Sequence, residues 1–307
     1  MTATVRHSPD GDAARPYHHY DDVADQSAAL VIRSYSSSFG LASRLLAKGV
    51  RQDVRNIYAL VRVADEIVDA PRPEQTQAQR RSALDSLESE VATALQTGSS
   101  SNLVVHAFAR TARRSGIDTA LVTPFFASMR ADLDCQQHSE ASLTEYIYGS
   151  AEVVGLMCVH AFLADHPHRK ARYDQLAPGA RRLGAAFQKV NFLRDLGEDS
   201  GQLGRRYLIG IDPDKPSADA WRYWLDDIDT DLAVAAKAIP LLPNGTRVAV
   251  CTAHDIFADL SRRLRSTPPE IACRTRIRVP GPDKARIAAG AALRRGQPRT
   301  ATAKSVS

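Results

Sequence analysis

The chain has no run of about 18 apolar residues, so no segment is suited to cross a membrane as a helix. Met1 to Gln26 is polar and lacks the apolar stretch of a secretory signal. Cysteine is scarce: Cys135, Cys158, Cys251 and Cys273 lie far apart and form no Cys-x-x-Cys. That usage argues against a disulfide framework and fits ordinary buried thiols in a reducing, cytoplasmic compartment. Strand signals are nearly missing, with no period-2 runs joined by Asn-Gly or Asp-Gly turns. No Gly-x-Gly-x-x-Gly stands in a strand–turn–helix context, so a Rossmann-type dinucleotide site is unsupported.

What remains is helical. Hydrophobic residues make up 44% and charged residues 24% of 307, a globular composition. Apolar residues recur with helical spacing over about 22–38, 50–70, 77–97, 101–115, 118–135, 141–164, 172–200, 217–239, 245–266 and 282–295. Breakers separate them, among them Pro71 and Pro73, Gly98-Ser99-Ser100-Ser101, Gly116, Pro213 and Pro216, and Pro268-Pro269. No internal linker is long or biased enough to divide the chain. The expected organisation is one all-α domain over 21–295, with disordered tails at 1–20 and 296–307. Charge is uneven: Ser261 to Ser307 holds twelve Lys and Arg against Glu270 and Asp283, while the whole chain carries +5. This basic end contains no aromatic side chain to stack bases, which weighs against nucleic acid. A solvated tail and an anionic membrane surface both fit it.

Two acidic pairs stand out, Asp65/Asp69 and Asp195/Asp199. Each is spaced i, i+4 in a helical segment, so its carboxylates stack on one face. Such a pair repels by about 0.2–0.5 kcal/mol even on an exposed helix. A lone Asp-x-x-x-Asp is common on solvated faces, but these neighbourhoods are not solvated. Ile57 to Val61 continues through Val63, Ala64, Ile67 and Val68, too apolar all round for an exposed helix. Around the second pair, Gln188, Asn191 or Phe192, Asp195 and Asp199 form a stripe that is polar where a buried helix should be apolar. Two carboxylate pairs on interior helices fit a shared hard cation; Mg²⁺ takes oxygen ligands and is commonly shared with substrate phosphates. Arg62, on the face of Asp65, has the planar fork suited to diphosphate oxygens. Arg194, Arg205 and Arg206 add cations near the second pair.

Four ordered motifs carry a resemblance to a known family. They are Ser36-Ser37-Ser38-Phe39; Tyr58 through Asp69; Tyr146-Ile147-Tyr148-Gly149-Ser150-Ala151-Glu152-Val153-Val154-Gly155; and Gln188 through Asp199 followed by Gly204 to Leu208. Over roughly Ser36 to Arg278 the chain resembles the squalene/phytoene synthases, head-to-head prenyltransferases of the all-α isoprenoid synthase fold, and bacterial phytoene synthases most of all. The resemblance implies a helical bundle with a central cavity. It implies that Asp65, Asp69, Asp195 and Asp199 hold Mg²⁺, or Mn²⁺ in its place, bridged to the diphosphates of two allylic substrates. It places Arg62, Tyr146, Gln188 and Asn191 around the diphosphates and the reaction zone, with Ser38, Arg194 and Arg205 near them. Ser43, Ala151, Val154 and Gly155 are small or apolar and suit the wall of an isoprenoid tail pocket, although close helix packing explains Gly155 equally well. Three positions depart from the family pattern: Glu66 where a second Asp is common, Glu152-Val153 in place of Gly-Thr, and Phe257 where tyrosine is frequent.

The activity this implies is condensation of two geranylgeranyl diphosphates to phytoene through a cyclopropyl diphosphate, without a nicotinamide reductant. The alternative is a C30 enzyme using farnesyl diphosphate, giving dehydrosqualene, or squalene if NADPH is used. Small Ser43 leaves room for the longer chain. A non-catalytic assembly protein on the same fold would be expected to lose metal aspartates. A nucleic-acid-binding helical protein rests only on the C-terminal charge. Peripheral contact with the inner face of the cell membrane is a further expectation.

Overall fold

A computed structural model describes residues 15–69, 72–134, 137–198, 205, 207–212 and 214–298. Every regular element among them is helical. The helices are α1 (Arg15–Tyr35), α2 (Ser37–Arg44), α3 (Lys48–Asp69), α4 (Gln77–Thr97), α5 (Leu103–Ser115), α6 (Thr119–Asp134) and α7 (Glu140–Ile147). After a π-helical turn at Tyr148–Glu152 come α8 (Val153–Phe162), α9 (Arg169–Glu198), α10 (Ala218–Ala238), α11 (Asn244–Ser266), α12 (Pro269–Ala272) and α13 (Gly281–Leu293). None is long and apolar enough to cross a membrane. Of the expected tails, 1–14 and 299–307 lie outside the described residues, and α1 already begins at Arg15.

Local chemistry sets the boundaries. Thr76 and Gln79 form a reciprocal capping box at the start of α4, which ends on Gly98 in the left-handed region at φ 86°. Asn102 caps α5 by accepting from the Val104 and Val105 amides. The single helix expected over 22–38 is in fact two. Ser36 adopts an extended conformation, and its hydroxyl accepts the Phe39 amide at 3.1 Å, so the chain stops α1 and restarts α2 there.

The helix expected over 141–164 is likewise interrupted by the π-turn. Gly149 there lies against α6 so closely that a Cβ would sit 2.2 Å from the Pro124 carbonyl oxygen. Buried side chains gather into two main apolar clusters. One joins α3, α4, α5, α6 and α8, with Phe108, Phe125 and Phe126 at its centre. The other joins α7, α9, α10, α11 and α13. Close backbone approach seats α9 on α8 and the π-turn: a Cβ on Gly155 would meet the Ala180 carbonyl oxygen at 2.6 Å, and one on Gly184 would meet that of Ala151 at 2.5 Å. Gly155 is therefore a packing glycine. Cys158, Cys251 and Cys273 are free thiols, and Cys135 lies outside the described residues.

Candidate active site

Helix α3 carries its apolar residues Ile57, Leu60, Ala64 and Val68 into the core. That orientation turns Arg62, Asp65 and Asp69, spaced i, i+3 and i+7, along another face. Asp65 is half-buried and makes no hydrogen bond or ion pair with another described residue. Burial first, and then the charge of Asp69, push its carboxyl well above the usual range. Arg62 lies over the Tyr35 ring at 4.4 Å and donates to Glu66 at 2.5 Å. Glu66 is thus engaged with that guanidinium.

Asp69 accepts from Arg205 Nη1 at 2.5 Å, and the same guanidinium donates to the Val68 carbonyl at 2.9 Å. Arg205 is buried, so this contact fixes it against the C-terminal end of α3. Behind it lies an acid that the motif reading passed over. Asp132 of α6 is buried, accepts the Tyr146 hydroxyl at 2.9 Å and the Tyr207 hydroxyl at 2.7 Å, and faces Arg205 Nη1 at 4.0 Å. Burial raises its carboxyl to about 7 against the opposing pull of Arg205. Burial and the charge of Asp132 also raise the Tyr146 and Tyr207 phenols well above their ordinary value. The signal in the sequence was an acid on the apolar stripe of α6, in line with Leu121, Phe125 and Met129.

The second pair stands on α9. Phe192, three residues before Asp195, stacks on Tyr207 with ring centroids 4.3 Å apart, and Tyr146 lies 6.0 Å from the Phe192 ring. Those aromatic contacts link the surroundings of the first pair to the helix that carries the second. Asp195 accepts from its neighbour Arg194 at 2.8 Å and pairs with Arg276 at 3.2 Å. Arg276, a member of the basic C-terminal stretch, thus pairs with an acid of the second motif. Asp199, Gly204 and Arg206 lie outside the described residues.

Gln188 and Asn191 are partly exposed on α9. Ser38 is partly exposed on α2, whereas Ser43 is buried and donates to the Gly40 carbonyl at 3.0 Å. Ala151 is partly exposed, and Val154 packs against the core cluster around α3 and α6. Glu152 is buried and paired with Arg181 at 2.6 Å, which offsets its charge. Phe257 stacks on Phe187 at 3.8 Å, so it serves packing at the position where a hydroxyl is frequent.

Among the described residues no three His, Cys, Asp or Glu side chains gather into a ready-made metal cage. A pair of carboxylates is nevertheless the donor set Mg²⁺ uses when phosphates and water complete its shell. The desolvated Asp65, without a hydrogen bond to any described residue and beside Asp69, fits such a cation, which would offset the repulsion between them.

A model of the squalene/phytoene synthase family matches residues 32–209, which include Arg62, Asp65, Asp69, Asp132, Tyr146, Asp195 and Arg205. The chain belongs to that family. Within it, the chain is 28% identical over 259 residues to a 15-cis-phytoene synthase of a Paracoccus species, covering 79% of this chain and 82% of the relative. It is 32% identical over 209 residues to the chloroplastic phytoene synthase 3 of Zea mays, covering 67% of this chain but only 46% of the maize protein. A 4,4'-diapophytoene synthase of Staphylococcus haemolyticus is 26% identical over 179 residues, 58% of this chain and 59% of that one. The structure of a dehydrosqualene synthase superposes with a TM-score of 0.74 at 22% identity, over 91% of this chain and 98% of the other. That likeness establishes an isoprenoid synthase-type helical fold.

Proposed function

We propose that this squalene/phytoene synthase family member condenses two geranylgeranyl diphosphates head to head to phytoene, through a cyclopropyl diphosphate. One observation carries the reading: the desolvated Asp65 shares a helix face with Asp69 and Arg62, while Asp195 of α9 is paired with its neighbour Arg194 and with Arg276 from beyond α12. Ionising an allylic diphosphate separates charge, so the leaving group needs fixed cations and the carbocation needs a dry wall. Arg62 is a candidate to hold diphosphate oxygens bidentately, as are Arg194 and Arg276 beside Asp195. Phe39, Phe187 and Phe257 form a contiguous aromatic group suited to excluding water, with Phe39–Phe187 centroids 5.9 Å apart. Asp65, Asp69, Asp195 and Asp199 are the residues that would hold Mg²⁺, which when bound supplies charge stabilisation to the departing diphosphate.

The C20 substrate is supported by the relatives named phytoene synthases and by the small Ser43. The diapophytoene synthase of Staphylococcus haemolyticus and the dehydrosqualene synthase structure favour a second reading, a C30 product from farnesyl diphosphate. Incubating the protein and Mg²⁺ with each of the C15 and C20 diphosphates, with and without NADPH, separates these readings by product mass. Absence of any head-to-head product refutes both. A C40 hydrocarbon cannot leave into water at a useful rate, so delivery requires contact with a bilayer. The exposed Arg274 and Arg278 are candidates for that contact. Their neutralisation is expected to weaken salt-sensitive sedimentation with anionic vesicles, and unchanged sedimentation would exclude them.

A further inference from the structure

We infer that Asp132 is a positioning residue of this site: its carboxylate receives the hydroxyls of Tyr146 and Tyr207 and thereby sets which way the Tyr146 oxygen presents its lone pairs. The inference rests on the proposed prenyl-diphosphate reaction and adds a residue to it. Each phenol has a single hydrogen to donate. The Tyr146 hydroxyl gives its hydrogen to Asp132 Oδ2 at 2.9 Å, and Tyr207 gives its own to Oδ1 at 2.7 Å. With Asp132 ionised, the Tyr146 oxygen is therefore left as an acceptor, able to receive a hydrogen bond from a substrate group or ordered water and unable to offer one. Without Asp132, rotation about the C–O bond would restore the donor role and blur that selectivity.

The arrangement is braced on every side. Tyr207 and Tyr146 are in ring contact at 5.2 Å, His138 stacks on Tyr207 at 5.7 Å, and Phe192 of α9 stacks on Tyr207 at 4.3 Å. Arg205 lies 4.0 Å from Asp132 and binds Asp69 with the same Nη1 atom, so the carboxylate also steadies the guanidinium beside the first acidic pair. Both Asp132 oxygens are taken by phenols, which separates its role from that of the aspartates assigned to the cation. A buried carboxylate is costly unless donors surround it, and two hydroxyls and a guanidinium supply that surround.

The test is steady-state kinetics with Mg²⁺ and the C15 and C20 diphosphates on wild type, Asp132→Asn, Tyr146→Phe, the double variant and Asp132→Glu, with helix content and melting recorded for each. Asp132→Asn is expected to lower kcat by about 10²-fold with KM little changed, as a misplacement of about 1 Å would. In the Tyr146→Phe background the same change should cost far less, because groups that act as a unit are not additive. Asp132→Glu should recover part of the lost kcat. Near-wild-type kcat in Asp132→Asn, or losses that multiply in the double variant, would overturn the inference and leave the diphosphate reading standing. If Asp132→Asn does not fold, Asp132→Ser takes its place; unfolding of both would make the carboxylate a brace and refute the positioning role. A wild-type protein that turns over neither diphosphate refutes the functional reading, and this inference with it.

Discussion

The proton on Asp132 makes the stability of this protein depend on pH in a direction opposite to that of most carboxylates. The perturbation is Asp132→Asn, which keeps the size of the side chain and removes its charge. An aspartate in the unfolded chain titrates near 3.8, whereas burial raises Asp132 in the folded protein to about 7. Below both values each state is protonated and the group contributes nothing. As pH rises between them the unfolded chain releases its proton first, so the folded state binds more protons and stability falls. A shift of about three pH units at about 1.36 kcal/mol each gives a penalty of about 4 kcal/mol above neutrality. The side chain is almost wholly buried, so solvent does not screen that penalty away. Urea unfolding of wild type and Asp132→Asn from about pH 4 to pH 8 measures it. The wild type should lose stability relative to the variant by several kcal/mol across that window. A difference that stays flat, or that grows in favour of the wild type, would refute the reasoning.

Three further outcomes are expected. Asp65→Ala and Asp195→Ala should each abolish turnover with helix content unchanged; Asp65→Ala should leave the metal-free fold at least as stable, because that carboxylate has no partner among the described residues, and Mg²⁺-dependent activity retained in both would exclude the cation assignment. Gly155→Ala drives a Cβ to within 2.6 Å of the Ala180 carbonyl and should cost about 1–3 kcal/mol by displacing α9, read as a lower Tm; an unchanged Tm would mean that the helices part without strain. Ser43→Phe overpacks a buried position at a similar cost of about 1–3 kcal/mol and should harm use of the C20 diphosphate more than the C15; equal losses on both would show that Ser43 does not face a tail.

The long periodic helices were legible because their caps and breakers are local. The spacing places α4 at 77–97, and the structure returns Gln77–Thr97, held by Thr76 and Gly98. Ser36 and the π-turn were not legible as breaks, since one depends on a serine choosing a capping conformation and the other on how closely Gly149 meets α6. In the candidate site, Arg62, Asp65 and Asp69 share a face because i, i+3 and i+7 must. The partner of Arg205 could not be read the same way: it lies 136 residues away and is chosen by tertiary packing. Asp132 shows the limit most clearly. One acid on an apolar stripe carries the same kind of signal as Asp195, but with no second carboxylate one turn away it resembles the frayed end of α6.

The π-turn at Tyr148–Glu152 has a consequence for chain length. Its backbone closes i to i+5, so the helix run from α7 into α8 holds one residue more than an α-helix of the same rise requires. Ser150 sits within that surplus, with a buried hydroxyl that finds no hydrogen-bond partner among the described residues. This is therefore a point where a single-residue deletion can be absorbed by rewinding the turn into ordinary α-helix, with no loop to rebuild. Because the deleted residue is the surplus one, deletion and rewinding cancel, and the later residues of α8 keep their angular position relative to Tyr146. Rewinding with every residue kept would instead turn α8 by about 100°, so the surplus residue is what keeps the face that Gly155 presents to α9 in phase with Tyr146, where Asp132 holds it.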